Sequence, residues 1–167
     1  MILAIDVQYD DDSALVAGVL FDKWPDAEPR RCLTKRVHDI KPYEPGNFYK
    51  RELPCIVSLL TEISECLEVI IVDGFVTLGQ EPRKGLGMHL FDTLNGKTAV
   101  VGVAKKAFKD TPEICEVLRG KSSKPLYITA VGIDLEEAIT AVSSMHGKHR
   151  TPTLLKMADQ LCRGIQK

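Results

Sequence analysis

Apolar residues fall into two patterns along this chain. Continuous runs rich in Val, Ile and Leu occupy 1–9, 14–21, 67–75, 98–103 and 126–131. Short runs of this kind, bounded by polar or turn-forming residues, read as strands, and uninterrupted ones as strands covered on both faces. Residues 32–40 alternate instead, as a half-exposed strand does. Spacing near the helical period appears four times. Leu53, Ile56, Val57, Leu60, Ile63 and Leu67 predict a helix over 51–67 with Pro54 in its first turn. A short helix is expected over 85–94, one over 135–145 behind an Asp134 cap, and a closing one over 153–163. A further short helix, capped by Asp110 or Thr111, is expected to run to Leu118. Segments 23–31, 42–52 and 77–86, rich in Pro or Gly, read as loops.

Asp10, Asp11, Asp12 and Ser13 separate the first two runs, so the chain opens with a hairpin, and the third strand extends it to an antiparallel meander. Helix, parallel strands, further α/β units and a last helix follow. The expected fold is α/β: a ribonuclease-H-like mixed sheet, three antiparallel strands then parallel strands, flanked by helices. The length of 167 residues suits a single domain over 1–167. No run approaches a membrane span and the amino terminus enters a strand directly, so a cytoplasmic protein is expected. Five scattered cysteines without CxxC spacing argue against a disulfide framework or structural zinc. The net charge of −1 excludes a generally basic surface, yet Lys50 and Arg51, Arg83 and Lys84, Lys105 and Lys106, and 146–150 form local basic clusters. A monomer is the default.

The candidate chemistry lies in acids placed on apolar elements. Asp6 sits inside the first strand, and a charge in an apolar run needs a partner or a metal. Asp73 and Gly74 end the run at 67–75, where open α/β sheets bind ligands, although such a pair also simply opens turns. Glu52 lies at or just before a helix start, and Asp159 lies on the closing helix. Magnesium binds through a few carboxylates while keeping water and phosphate ligands, and two such ions promote phosphodiester hydrolysis. Lys105, at the end of 98–103, is placed to neutralise a phosphate. Tyr43, Phe48 and Tyr49 give the rigid loop 42–52 aromatics suited to stacking or wedging into nucleic acid, or to packing over the core.

Several motifs, in order, resemble the endonuclease V family. They are Asp6-Val7 with Tyr9, Pro42-Tyr43-Glu44-Pro45-Gly46 with Arg51-Glu52, Val72-Asp73-Gly74, Pro82-Arg83, and Gly102-Val103-Ala104-Lys105-Lys106. The resemblance implies metal-dependent cleavage of DNA or RNA 3′ to inosine, through attack by metal-activated water, with Mg2+ as cofactor and Mn2+ as substitute. It implies that Asp6, Glu52 and Asp73 bind metal, with Asp159 as a further carboxylate, and that Lys105 is catalytic. Tyr43 would be a wedge, with Pro45 in its loop. Gly46, Phe48, Gly74, Gly85 and Leu86 would line a hypoxanthine pocket, His89 would match a family histidine, and Arg83 and Lys106 would serve the phosphate backbone.

Departures concentrate around the base. Val76 replaces a usual glycine, Glu81 a histidine before Pro-Arg, and 77–81 is longer. Gly132 is followed by Ile133 rather than histidine, and the chain starts without the family's amino-terminal helical segment. The expectation is an intact hydrolytic centre with an altered pocket. The alternative is a catalytically weak or inactive nucleic-acid-binding module.

Overall fold

The computed structural model describes residues 1–81 and 83–165, so Pro82 of the Pro-Arg motif lies outside the described residues. Strands β1 (Ile2–Tyr9), β2 (Ser13–Phe21) and β3 (Arg31–His38) form the expected antiparallel meander, with Asp6 opposite Ala17. Helix α1 (Tyr49–Leu60) leads to β4 (Val69–Asp73), which runs parallel to β1. A small ribbon of β5 (Thr77–Leu78) and β6 (Arg83–Lys84) precedes α2 (Leu86–Thr93) and β7 (Ala99–Ala104), parallel to β4. The chain ends with β8 (Glu116–Val117), β9 (Leu126–Val131), α3 (Leu135–Ser144) and α4 (Thr153–Cys162). The main sheet has the order β3-β2-β1-β4-β7-β9-β8.

Side-chain alternation divides the core in two. Ile2, Ala4, Val69, Ile71, Val101 and Val103 face α3 and α4, where Ala138, Val142, Leu154 and Ala158 pack on them. Leu3, Ile5, Val7, Ile70, Val72 and Val100 face α1 and α2, against Ile56, Leu59, Leu86 and Leu90. Both faces being covered explains why β1, β4 and β7 are nearly unbroken apolar runs.

Local details differ from expectation for identifiable reasons. Strand β9 runs antiparallel to β7, so among the described strands the parallel pairings are those of β1 with β4 and of β4 with β7. Helix α1 starts two residues before the predicted 51 and stops at Leu60, which puts Pro54 inside it. The ring is tolerated because Pro54 and Lys50, whose carbonyl loses its donor, are both exposed to solvent. The expected helix to Leu118 is a single 3-10 turn, Glu113–Cys115, because Glu116 and Val117 pair with Tyr127 and Leu126 instead. Asp134 occupies the cap position of α3 without a side-chain hydrogen bond. The loop 77–86 contains the β5-β6 ribbon.

Candidate active site

The parity of the strands decides where the acids go. Asp6 follows Ile2 and Ala4, and Asp73 follows Val69 and Ile71, so both turn toward α4 at the carboxyl ends of neighbouring strands. Asp159 meets them from α4. Donor atoms of Asp6, Asp159 and Cys162 all lie within 4.8 Å of one another, the one such group of three among the described residues. Cys162 is buried, as expected of a small hydrophobe, but its thiol stands beside carboxylates and donates to the Asp159 carbonyl at 3.1 Å. Burial first, then the charges of Asp6 and Asp159, pushes that thiol up to about 12, so it stays protonated.

Glu52 and Asp73 stand outside this triangle but act on it. Glu52, in the first turn of α1, is 4% exposed. Burial, then repulsion from Asp6 and Asp73, holds its carboxyl well above the usual range, with only Arg51 opposing. Asp6 is pushed up to about 7 by burial and then by Asp73, while the Val7 amide, donating to its Oδ1 at 2.8 Å, and Lys105 oppose this. Asp73 is raised too, burial leading, although its side chain is 41% exposed, since it stands in a concave surface. Lys105 Nζ is 4.0 Å from Asp73 Oδ2, and Arg163 Nε is 3.0 Å from Asp159 Oδ1. Burial and the neighbouring acids hold the carboxyls of Asp6, Glu52 and Asp73 up although Lys105, Arg51 and Arg163 oppose this. Asp6, Glu52, Asp73 and Asp159 therefore fit an oxygen-seeking divalent cation.

A cavity of about 310 Å³ opens beside Asp73. Of the substrate-binding residues expected from sequence, Tyr43, Gly46, Phe48, Gly74, Arg83, Gly85 and Leu86 line it, joined by Phe75, Leu78 and Phe108. Three others do not. Pro45 and Lys106 are exposed elsewhere, and His89 stacks on Tyr49 with ring centroids 3.6 Å apart, bracing the start of α1. Tyr43 is 59% exposed and Phe48 48%, so these two aromatics of the loop project, whereas Tyr49 packs against the core.

Val76 does not narrow this cavity. It is fully buried and its side chain enters the core under α2, where a Cβ on Gly87 would lie 2.6 Å from Val76 Cγ2. The turn carrying it serves α2 through its backbone. Phe75 and Val76 carbonyls accept hydrogen bonds from Gly87 at 3.0 Å and Gly85 at 2.9 Å, doing the work of a side-chain cap. Thr129, which sequence reasoning missed, accepts the Val76 amide on Oγ1 at 2.8 Å. A threonine in a strand carries no signal of such a role. Gly102 matters for the same turn. A Cβ there would lie 2.5 Å from the Gly74 carbonyl and 2.7 Å from Thr129 Oγ1. Gly102→Ala is therefore expected to displace the turn after Asp73, cost about 1 to 3 kcal/mol in denaturant unfolding, and depress activity by more than that loss of stability explains.

A mixed sheet of this order, with carboxylates toward the carboxyl ends of neighbouring parallel strands and an aromatic cavity beside them, defines the class of ribonuclease-H-like folds. Comparison with known proteins narrows the class. The chain belongs to the endonuclease V family, whose model, described as Endonuclease V, matches residues 1–116, and it is an endonuclease. Endonuclease V of Streptomyces avermitilis is 28% identical over 190 aligned positions, spanning 99% of this chain and 80% of that protein. Its crystal structure superposes with a TM-score of 0.74 at 27% identity, covering 98% of this chain and 79% of the other. Endonuclease V of Ciona intestinalis, solved with a DNA 24-mer containing an inosine followed by a ribo-adenosine, shares the fold, with a TM-score of 0.79 at 22% identity over 98% of this chain and 84% of that one.

Proposed function

We propose that this endonuclease cleaves DNA or RNA on the 3′ side of inosine or a similarly modified base, with a divalent cation, Mg2+ or Mn2+, as cofactor. The observation that carries the reading is that Asp73 belongs both to the carboxylate centre and to the wall of the aromatic cavity. A base held in the cavity thus places its own downstream backbone against the acids. The crystallised Ciona enzyme, with inosine-containing DNA, supports the choice of base.

Asp6, Glu52, Asp73 and Asp159 would hold the cation. The chemistry such an ion supplies is Lewis-acid polarisation of a phosphate oxygen and a lowered pKa for water. Lys105, held by Asp73, offsets negative charge on the phosphate as it builds up. Tyr43, exposed and in edge-to-face contact with Phe48 at 6.4 Å, fills the space the displaced base leaves, while Phe48, Phe75 and Phe108 offer apolar surface to the base itself. The cavity volume suits one base, lying near the lower end of the range of about 300 to 1,000 Å³ for ligand sites. Arg83, whose guanidinium stands 5.6 Å from the Phe108 ring centroid, lines the same wall and supplies a contact for the phosphate backbone.

The protein would act as one domain and as a monomer. Five free cysteines suit a reducing, cytoplasmic setting, and among the described residues no helix is long and apolar enough to cross a membrane.

The test is incubation of single-stranded DNA and RNA, each with one inosine, with Mg2+ or Mn2+, beside adenosine controls and a chelator. Expected is a cut at the second phosphodiester 3′ to inosine, absent from the controls and abolished by chelation. Binding without cutting under all these conditions would instead establish a non-catalytic module.

A further inference from the structure

Basic side chains on the α4 side of the centre remain outside the catalytic reading. His149 and Lys156, with Lys105, Arg150, Thr151 and Asp159, line a cavity of about 270 Å³. We propose that this cavity binds the phosphodiester backbone immediately 3′ of the cleaved bond, a subsite that rests on the functional reading above and fixes the direction in which the strand lies.

The path follows from the two faces of the sheet. The base cavity is built by the loop before α1 and the amino-terminal end of α2, on the face those helices cover. The acids stand at the carboxyl ends of β1 and β4. The basic cavity is built by α4 and the loop leading into it, on the opposite face, and shares Lys105 and Asp159 with the centre. A strand with its base in the first cavity and its second 3′ phosphodiester at the acids has crossed the end of the sheet. Its continuation enters the second cavity.

The walls of this cavity suit backbone rather than base. No Phe, Tyr or Trp lines it, in contrast to the base cavity. Its one acid, Asp159, is engaged by Arg163 at 3.0 Å, leaving an excess of positive charge. The loop is also fixed in advance. Buried Arg119 donates to the carbonyls of Met145 and His149 at 2.7 Å and of Gly147 and Arg150 at 3.2 Å. Four carbonyl oxygens are thereby turned toward a guanidinium and away from an anionic ligand. Arg150 then bonds the carbonyls of Lys105 and of Pro125, the latter at 2.7 Å, tying the loop to the end of β7. Binding a phosphate here needs little reordering of the loop backbone, which is what makes a modest cationic cavity effective.

The experiment is a series of inosine strands ending one, two, three or four nucleotides beyond the cleaved bond, assayed with Mg2+ for wild type, Lys156→Ala and His149→Ala. For wild type, KM is expected to fall about five- to tenfold when the linkage reaching the cavity is added, with kcat changing less than about twofold. A neutral methylphosphonate at that linkage should erase the fall. In each variant the ratio of short-strand to long-strand KM should shrink toward one, and the salt slope of long-strand binding should drop by about 0.7 per lost phosphate contact. A wild-type KM indifferent to length and to the methylphosphonate overturns the subsite while leaving inosine cleavage standing. Failure of wild type to cut even the longest strand overturns the functional reading and the subsite together.

Discussion

Asp73→Asn is expected to lower cleavage of an inosine strand by about a thousandfold or more while making the metal-free protein more stable at pH 8. The two effects have one cause. The asparagine keeps the shape of the proposed ligand but lacks the charge that would hold a divalent ion and that faces Lys105 Nζ at 4.0 Å. That same charge is the largest contribution after burial to the raised pKa of Asp6, and it raises Glu52 too. Removing it relieves repulsion among acids that no cation is balancing. Single-turnover cleavage and thermal melting in chelator, both at pH 8, check the pair. A variant within tenfold of wild-type activity removes Asp73 from the chemistry, and one that melts earlier shows that its charge is not a source of strain.

The second large effect links protons to metal. Asp6 rises from an ordinary 3.8 to about 7 in the folded protein, and Glu52 and Asp73 are raised as well. A carboxyl with a raised folded pKa binds more protons folded than unfolded, so its contribution to stability is complete below its unfolded pKa and is lost as pH rises through the folded one. For Asp6 that window runs from about 4 to about 7. Metal-free protein should accordingly melt higher near pH 5 than at pH 8. A divalent ion opposes this order, because it competes with the protons for the same oxygens. With Mg2+ at about a hundred times its Kd, stabilisation of about 2.7 kcal/mol is expected at pH 8, a rise in Tm of roughly 5 to 11 °C. Near pH 5 the shift should be much smaller. Equal shifts at both values would mean that these acids are not where the ion binds.

How much of this was legible before the structure depends on the kind of signal. Continuous Val/Ile runs report double-sided burial directly, so β1, β4 and β7, with Asp6 inside the first and Asp73 ending the second, could be read in order, and motif order supplied the family. Strand direction could not be read for β9. Whether it pairs parallel or antiparallel depends on how the chain between it and β7 returns, and that stretch has no regular periodicity. The helix expected up to Leu118 lost to sheet pairing, a tertiary preference that outweighs local propensity. Val76 was misjudged because a substitution one residue past a functional turn was assigned to the cavity, whereas the turn points that side chain into the core. Arg119 was invisible, since an arginine beside Gly120 and Lys121 looks like surface until the loop it holds comes round to meet it.

The alternation that sends Asp6 and Asp73 to the same side as Asp159 also limits how this site can change over generations. Inserting or deleting one residue in β1 ahead of Asp6, or in β4 ahead of Asp73, would turn that acid to the α1–α2 side, away from Asp159, with no intermediate arrangement available. The ribbon at 77–84 carries no such constraint. It borders the base cavity yet hangs outside the main sheet, so it can gain or lose residues freely. If the proposed roles hold, selection meets a fixed acidic centre beside an adjustable ribbon, and changes of length on one side leave the other untouched.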